Sequence, residues 1–397
     1  MKRATDYGYE LKSVYTPDDI KGFDYKTHLG DPGQYPYARG YHSQGYRSRV
    51  WTQRMTAGLG TSVSANKVLK KYREMGQTGG ICVISDRVFS LLAFEELMED
   101  IPLTGQSITL LGSSAPSVMR LAYVVALAEK RGLDVAQIHG SVIESPFENY
   151  FGQTDVQPFD LNLKLFLDAS EYVLRNKIRM RAAIISQHFQ ESGGNNAQAL
   201  AVELATLKEL CGMLVNERGL DFDTVALLPY ELVTVGSRFF EEIAKMRALR
   251  RMWAKMAKEE FKAKHDKSCQ LLMAVHTPGR TMTYQQPLNN IVRCAIQTLA
   301  GAIGGCTAMD NATLDNAHSE PSALAARMSL NTQHIVAAET GATDVVDPLA
   351  GSYFVEHLTN RVEEEAYKIL GKIEEMGGVI AALNRGYVQE MLSNEAS

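Results

Sequence analysis

Cysteine is scarce in this 397-residue chain: Cys82, Cys211, Cys269, Cys294 and Cys306 are widely scattered, and no CxxC pair occurs. An odd, dispersed set argues against a disulfide framework and points to reduced thiols, most of them core residues, in a cytoplasmic protein. No run approaches the roughly 18 apolar residues of a membrane span, and the first residues lack an apolar signal core, so no membrane partner is expected. Charge of one sign is also missing. With 41 basic and 46 acidic residues, the net charge of -5 gives no electrostatic reason to expect nucleic acid. The nine histidines are dispersed, with no HExxH and no Cys/His cluster at ligand spacing, so no metal site is expected. The absence of GxGxxG after a strand, of GxxxxGK[ST] and of GxSxG removes the best support for a nucleotide-binding doubly wound sheet or a serine hydrolase.

What the chain does have is rhythm. Residues 1–60 are rich in Tyr, Gly, Asp and Pro without a sustained period and read as an N-terminal arm. From residue 61 to 397, short β-branched or apolar runs alternate with stretches of helical period. Strands are expected at 81–84, 108–111, 182–186, 225–228, 271–275 and 306–309. Helices are expected around Val118, Leu121, Ala122 and Val125, around Leu200, Leu204, Leu207, Cys211 and Leu214, and around Phe239, Ile243, Met246 and Leu249. Seven or eight such units favour a (β/α)8 barrel behind the arm.

In a barrel, polar residues at the C-terminal ends of strands are the functional candidates. His188 and His276 each follow an expected strand, although each could also be a hydrogen-bonded structural histidine. Asp310 and Asn311 close another, where turn formation explains them equally well. The basic stretch 255–267 and the carboxylates Glu95, Glu96 and Glu363 to Glu365 read as solvated helix faces. Arg47, Arg49 and Arg54 with Tyr46 and Trp51 form a basic, aromatic group able to hold a phosphorylated, ring-bearing ligand such as coenzyme A, or simply to pack an arm onto the barrel.

Longer motifs carry a resemblance. Val14-Tyr15-Thr16-Pro17-Asp18-Asp19, Pro32-Gly33-Gln34-Tyr35-Pro36-Tyr37-Ala38-Arg39-Gly40 and Tyr46-Arg47-Ser48-Arg49-Val50-Trp51-Thr52-Gln53-Arg54 resemble the arm of the methylmalonyl-CoA mutase family. Gln286-Pro287-Leu288-Asn289-Asn290, Asp347-Pro348-Leu349-Ala350-Gly351-Ser352-Tyr353 and Glu374-Glu375-Met376-Gly377-Gly378 extend it along the chain. The resemblance implies a barrel threaded by the pantetheine arm of an acyl-CoA, with adenosylcobalamin over the mouth and a radical 1,2-migration as the reaction. It assigns acyl-CoA contacts to Arg49, Thr52 and Arg54, with Tyr46, Ser141, Gln187 and His276 as further ones. His188 would hydrogen-bond the thioester carbonyl, and Gly58 and Glu191 would lie against the cofactor.

The departures concern the acyl group and the cofactor. Thr56 and Gln153 stand where the methylmalonyl enzyme has a substrate-stacking tyrosine and a carboxylate-pairing arginine, and both are expected at the catalytic site. Gln187 replaces a tyrosine. Ser85-Asp86-Arg87-Val88 replaces a loop that reaches the corrin. Ala312 and Asn316 replace residues that hold the adenosyl ribose, Leu228 replaces a coenzyme-A-binding arginine, and Ala274 and His276 replace a histidine and a glutamine. The sequence stops where the barrel stops, so the resemblance implies a separate cobalamin-binding small subunit and a hetero-oligomer. Three readings follow. One is the large subunit of a mutase for an acyl-CoA lacking the methylmalonyl carboxylate. Another is a degenerate, non-catalytic or regulatory barrel subunit. A barrel repurposed for another coenzyme A reaction is a third.

Overall fold

The computed structural model describes residues 3–58, 60–83, 90–112, 116–147, 158–185 and 187–395. Their strands are β1 (Thr52–Arg54), β2 (Thr56–Ala57), β3 (Gly79–Val83), β4 (Ser107–Leu111), β5 (His139–Glu144), β6 (Arg179–Ile185), β7 (Pro229–Thr234), β8 (Leu272–His276) and β9 (Ala308–Asp310). All pair in parallel, in the order β1-β9-β8-β7-β6-β5-β4-β3-β2. Only Met55 separates β1 from β2. The two form a single stave that pairs with β9 on one side and β3 on the other, closing a (β/α)8 barrel of eight staves. At the break, side chains replace the ladder: the Met55 amide donates to Gln77 Oε1 at 2.8 Å, and Gln333 Nε2 donates to the Arg54 carbonyl at 3.1 Å. The segment read as arm therefore supplies the first stave of the barrel.

Each stave leads into helices on the outside. These are α1 (Ser62–Glu74), α2 (Leu91–Leu97), α3 (Ser117–Lys130), α4 (Phe159–Arg175), α5 (Gln187–Glu191), α6 (Asn196–Asn216), α7 (Phe222–Val225), α8 (Phe239–Glu259), α9 (Asn289–Ile303) and α10 (Ala323–Glu339). A long α11 (Tyr353–Glu375) packs across α6 and α8, and two short helices, Val379–Asn384 and Tyr387–Glu395, follow it. The period of two along the strands divides the core. Ile108, Leu110, Met180, Ile184, Val233, Met273, Val275 and Met309 point outward into the sheet–helix core. Ala183, Leu232, Ala274 and Ala308 form a small separate cluster inside the barrel.

Two expectations need correction. Residues 225–228 are not a strand: Asp221 caps a helical turn by accepting from the Asp223 amide at 3.1 Å, α7 ends at Val225, and β7 starts at Pro229. A short apolar run fits either conformation, and the cap decides it. Nor is Glu363 a solvated helix carboxylate. It is buried between Arg251 and Lys255, with Lys255 Nζ at 2.5 Å. The rest of 255–267 is mostly exposed, as expected. Cys211, Cys269, Cys294 and Cys306 are buried.

α8 also fastens the arm. Arg250 donates from Nε to the Tyr37 carbonyl (3.0 Å), from Nη2 to that of Ala38 (2.8 Å) and from Nη1 to that of Gly304 (2.7 Å). Three oriented carbonyls compensate a guanidinium that burial and neighbouring Arg247 depress to a pKa of about 10.

Candidate functional site

Parallel register sets one row of polar side chains at the C-terminal end of the barrel. Arg54 of β1 pairs with Asp310 of β9, and Asp310 pairs with His276 of β8. Being in register, the three side chains leave the sheet on the same side and meet. His276 Nδ1 lies 2.7 Å from Asp310 Oδ2, and Arg54 Nη2 lies 3.8 Å from Asp310 Oδ1. Arg54 also crosses to β4, donating from Nη1 to Thr109 Oγ1 at 3.2 Å. Burial alone would discharge this group, but the partners outweigh it. The His276 imidazole is held above its ordinary pKa by Asp310 and Glu191, and the Asp310 carboxyl is held below its own by His276 and Arg54.

α5 follows β6 and brings His188 and Glu191 to the same mouth. Glu191 Oε1 lies 3.9 Å from His276 Nε2. Burial, then the neighbouring His276, lowers the His188 pKa to about 4, so its ring is neutral at physiological pH. A five-residue helix needs outside support, which Lys245 of α8 supplies. Buried and paired with Glu242 at 2.6 Å, Lys245 Nζ donates to Gln190 Oε1 (3.1 Å) and to the Thr234 carbonyl (2.5 Å). Gln190 Nε2 in turn donates to Asn196 Oδ1 at 2.9 Å, tying α5 to the start of α6.

The opposite, N-terminal face of the barrel holds a cavity of about 810 Å³. Its floor is made of strand beginnings, including Thr52, Ser107, His139, Arg179 and Leu272, and its wall of arm residues 39–51. Arg39, Arg49, Lys177, Arg179 and Arg181 make it cationic, while Tyr41, Tyr46, Trp51 and Tyr230 supply rings. His139 is pushed below its ordinary pKa by burial and by Arg179 and Arg49, as expected where positive charge accumulates.

The expected residues thus fall mainly at two ends of one axis. His188, Glu191 and His276 gather at the C-terminal mouth, with Arg54 inside the barrel below them. Tyr46, Arg49 and Thr52 line the N-terminal cavity. The Tyr46 hydroxyl is already committed there, donating to the Cys306 carbonyl at 2.8 Å. Ser141, between the ends, is fully buried and donates to the Arg181 carbonyl at 3.0 Å. Thr56 is half-buried in β2, and Gly58 follows it with φ 109°, a left-handed conformation that favours glycine. Gln187 opens α5. Gln153 and residues 85–88 lie outside the described residues.

Sequence reasoning did not assemble Asp310, Lys245 and Gln190 into the site. A carboxylate closing a strand was the only signal for Asp310, and Lys245 looked like an ordinary helix lysine.

A family model described as methylmalonyl-CoA mutase matches residues 4–88 and 85–397. The 2-hydroxyisobutanoyl-CoA mutase large subunit of Aquincola tertiaricarbonis is 33% identical over 98% of this chain and 73% of its own length. The methylmalonyl-CoA mutase of Rhizobium meliloti is 30% identical over 99% of this chain and 58% of its own. The mitochondrial methylmalonyl-CoA mutase of Homo sapiens is 31% identical over 96% and 53%. The chain therefore spans little more than half the length of these two methylmalonyl-CoA mutases. By the family match and by these relatives, the chain belongs to the methylmalonyl-CoA mutase family.

Proposed function

We propose that the chain is the acyl-CoA-binding large subunit of a cobalamin-dependent mutase, acting on an acyl group without the methylmalonyl carboxylate. The observation that carries this reading is the pairing of a cationic, ring-lined cavity at one end of the barrel with a histidine-bearing mouth at the other. Arg49, Arg179 and Arg181 would hold the phosphates of coenzyme A, with the adenine against the cavity's rings. A five-residue strand spans roughly 16 Å, a length a pantetheine arm covers. Ala183, Ala274 and Ala308 keep one inner layer of the barrel small, and such an arm would pass there beside Leu232 and Tyr230.

At the mouth, neutral His188 would donate its ring N–H to the thioester oxygen without adding a charge. Lys245 and Gln190 keep α5, and hence His188, in place.

Adenosylcobalamin, when bound, supplies the carbon radical that takes a hydrogen atom from the substrate. The mouth fits such a group in part. Gly58, whose positive φ suits glycine, would leave room, and Glu191 would meet its edge. Ala312, buried and apolar, offers the ribose no hydrogen bond. A separate small subunit would carry the cobalamin, as the name "large subunit" suggests for the Aquincola relative. The degenerate-subunit reading draws support from Ala312 and Asn316.

Coenzyme A titrated into the chain should bind. Arg49→Ala or Arg181→Ala should weaken it about tenfold or more, the loss expected for a charge-assisted hydrogen bond. Absence of coenzyme A binding would overturn the proposal. Binding without a radical signal by electron paramagnetic resonance, in the presence of the small subunit, adenosylcobalamin and acyl-CoAs, would favour the degenerate reading.

A further inference from the structure

We infer that His276 and Glu191 form a hydroxyl-binding slot at the barrel mouth, which makes a hydroxyacyl-CoA the preferred substrate class. The inference rests on the proposed acyl-CoA reading and starts from a gap. His276 Nε2 and Glu191 Oε1 stand 3.9 Å apart, beyond hydrogen-bond range, a separation that one oxygen about 2.8 Å from each would bridge. His276 cannot turn away to close the gap, because Nδ1 is held by Asp310 at 2.7 Å and Asp310 is itself backed by Arg54. Both side chains keep part of their surface open, 24% for His276 and 26% for Glu191, whereas Arg54 and Asp310 are nearly closed off.

Charge decides what suits the gap. Arg54, Asp310 and Glu191 together carry one negative charge, and a protonated His276 brings the four to neutrality. The slot then has one donor, Nε2–H, and one acceptor, the Glu191 carboxylate. A hydroxyl accepts from the first and donates to the second, satisfying both with one atom. A methyl group would leave both unpaired, a keto oxygen would serve only His276, and a carboxylate would accept from His276 but face the charge of Glu191. The pair therefore selects for a hydroxyl and against the methylmalonyl carboxylate.

Calorimetric titration of the full chain with coenzyme A, isobutyryl-CoA, 2-hydroxyisobutyryl-CoA and methylmalonyl-CoA tests this. The hydroxyacyl-CoA should bind about ten- to a hundredfold more tightly than isobutyryl-CoA, the range for a hydrogen bond to charged groups, and methylmalonyl-CoA should bind more weakly than either. Glu191→Ala, on a partly exposed helix face, should reduce the preference to about threefold or less while leaving coenzyme A affinity unchanged. His276→Gln should reduce it in the same direction. Equal affinities for the hydroxylated and plain acyl-CoAs in the unaltered chain, with coenzyme A still bound, would overturn this inference alone. Loss of coenzyme A binding altogether would overturn the acyl-CoA reading with it.

Discussion

His188 and His276 share one mouth, yet their surroundings drive their protonation in opposite directions. His188 is depressed to about 4 by burial and by His276, whereas Asp310 and Glu191 hold His276 above its ordinary value against burial. If neutral His188 donates to a thioester oxygen on which charge develops, His188→Ala should slow turnover about a hundred- to a thousandfold, with the fold unchanged by circular dichroism. Stability should respond at both ends of the pH scale. The unfolded chain protonates His188 near 6.5, so its contribution is lost as pH falls from about 6.5 towards 4. The contribution of His276 is full below its ordinary pKa and is lost as pH rises through the raised one. Urea midpoints across pH 4–7 should therefore fall less steeply on the acid side in His188→Asn. Both histidines were legible in the sequence as polar residues following strands. The Asp310 partnership was not, because it depends on the register between β8 and β9, which no local pattern encodes.

At the scale of elements, α8 shows how a correct helix assignment can still miss where its charges go. The spacing of Phe239, Ile243, Met246 and Leu249 announces the helix, and the interleaved Lys245, Arg247, Arg250 and Arg251 look like its wet face. All four are buried: the arm and α11 bring carbonyls and carboxylates to the three arginines, while Lys245 turns to Glu242, Gln190 and the Thr234 carbonyl. Arg247 joins Asp347 to Glu356 of α11, with the latter at 2.5 Å. Removing the cation would strand the buried Glu356 carboxylate and leave Asp347 only its 3.4 Å ion pair with Arg39, so Arg247→Met should destabilise the fold by about 3–5 kcal/mol in urea titration. Adding Glu356→Gln should recover part of that loss, since one stranded charge disappears. Full additivity of the two substitutions would place the energy elsewhere.

For the whole molecule, the alternation of strands and helices made the barrel legible, while its first stave stayed hidden inside a Tyr- and Gly-rich arm. Thr52–Arg54 and Thr56–Ala57 are too short to show a period, and they become a stave only because β9 and β3 lie on either side. The interior was likewise unreadable from local pattern, since inward and outward residues of a parallel strand are both apolar. The interior of a closed barrel is ordinarily filled by bulky branched side chains. Here, among the described residues, the layer at Ala183, Ala274 and Ala308 is small, with Leu232, Leu111 and Tyr230 as the larger residues packed with it. If a pantetheine arm runs through it, Ala274→Leu should block the passage while sparing the cavity below. Affinity for 3′-phospho-ADP, which needs only the N-terminal cavity, should stay within about threefold, whereas acyl-CoA affinity should fall at least about tenfold. Stability separates this from simple misfolding: a branched side chain entering a passage kept free for the arm should not lower the melting temperature, whereas overpacking a filled core costs about 1–3 kcal/mol. Unaltered acyl-CoA affinity in a stable Ala274→Leu chain would mean that the arm does not pass along the barrel axis.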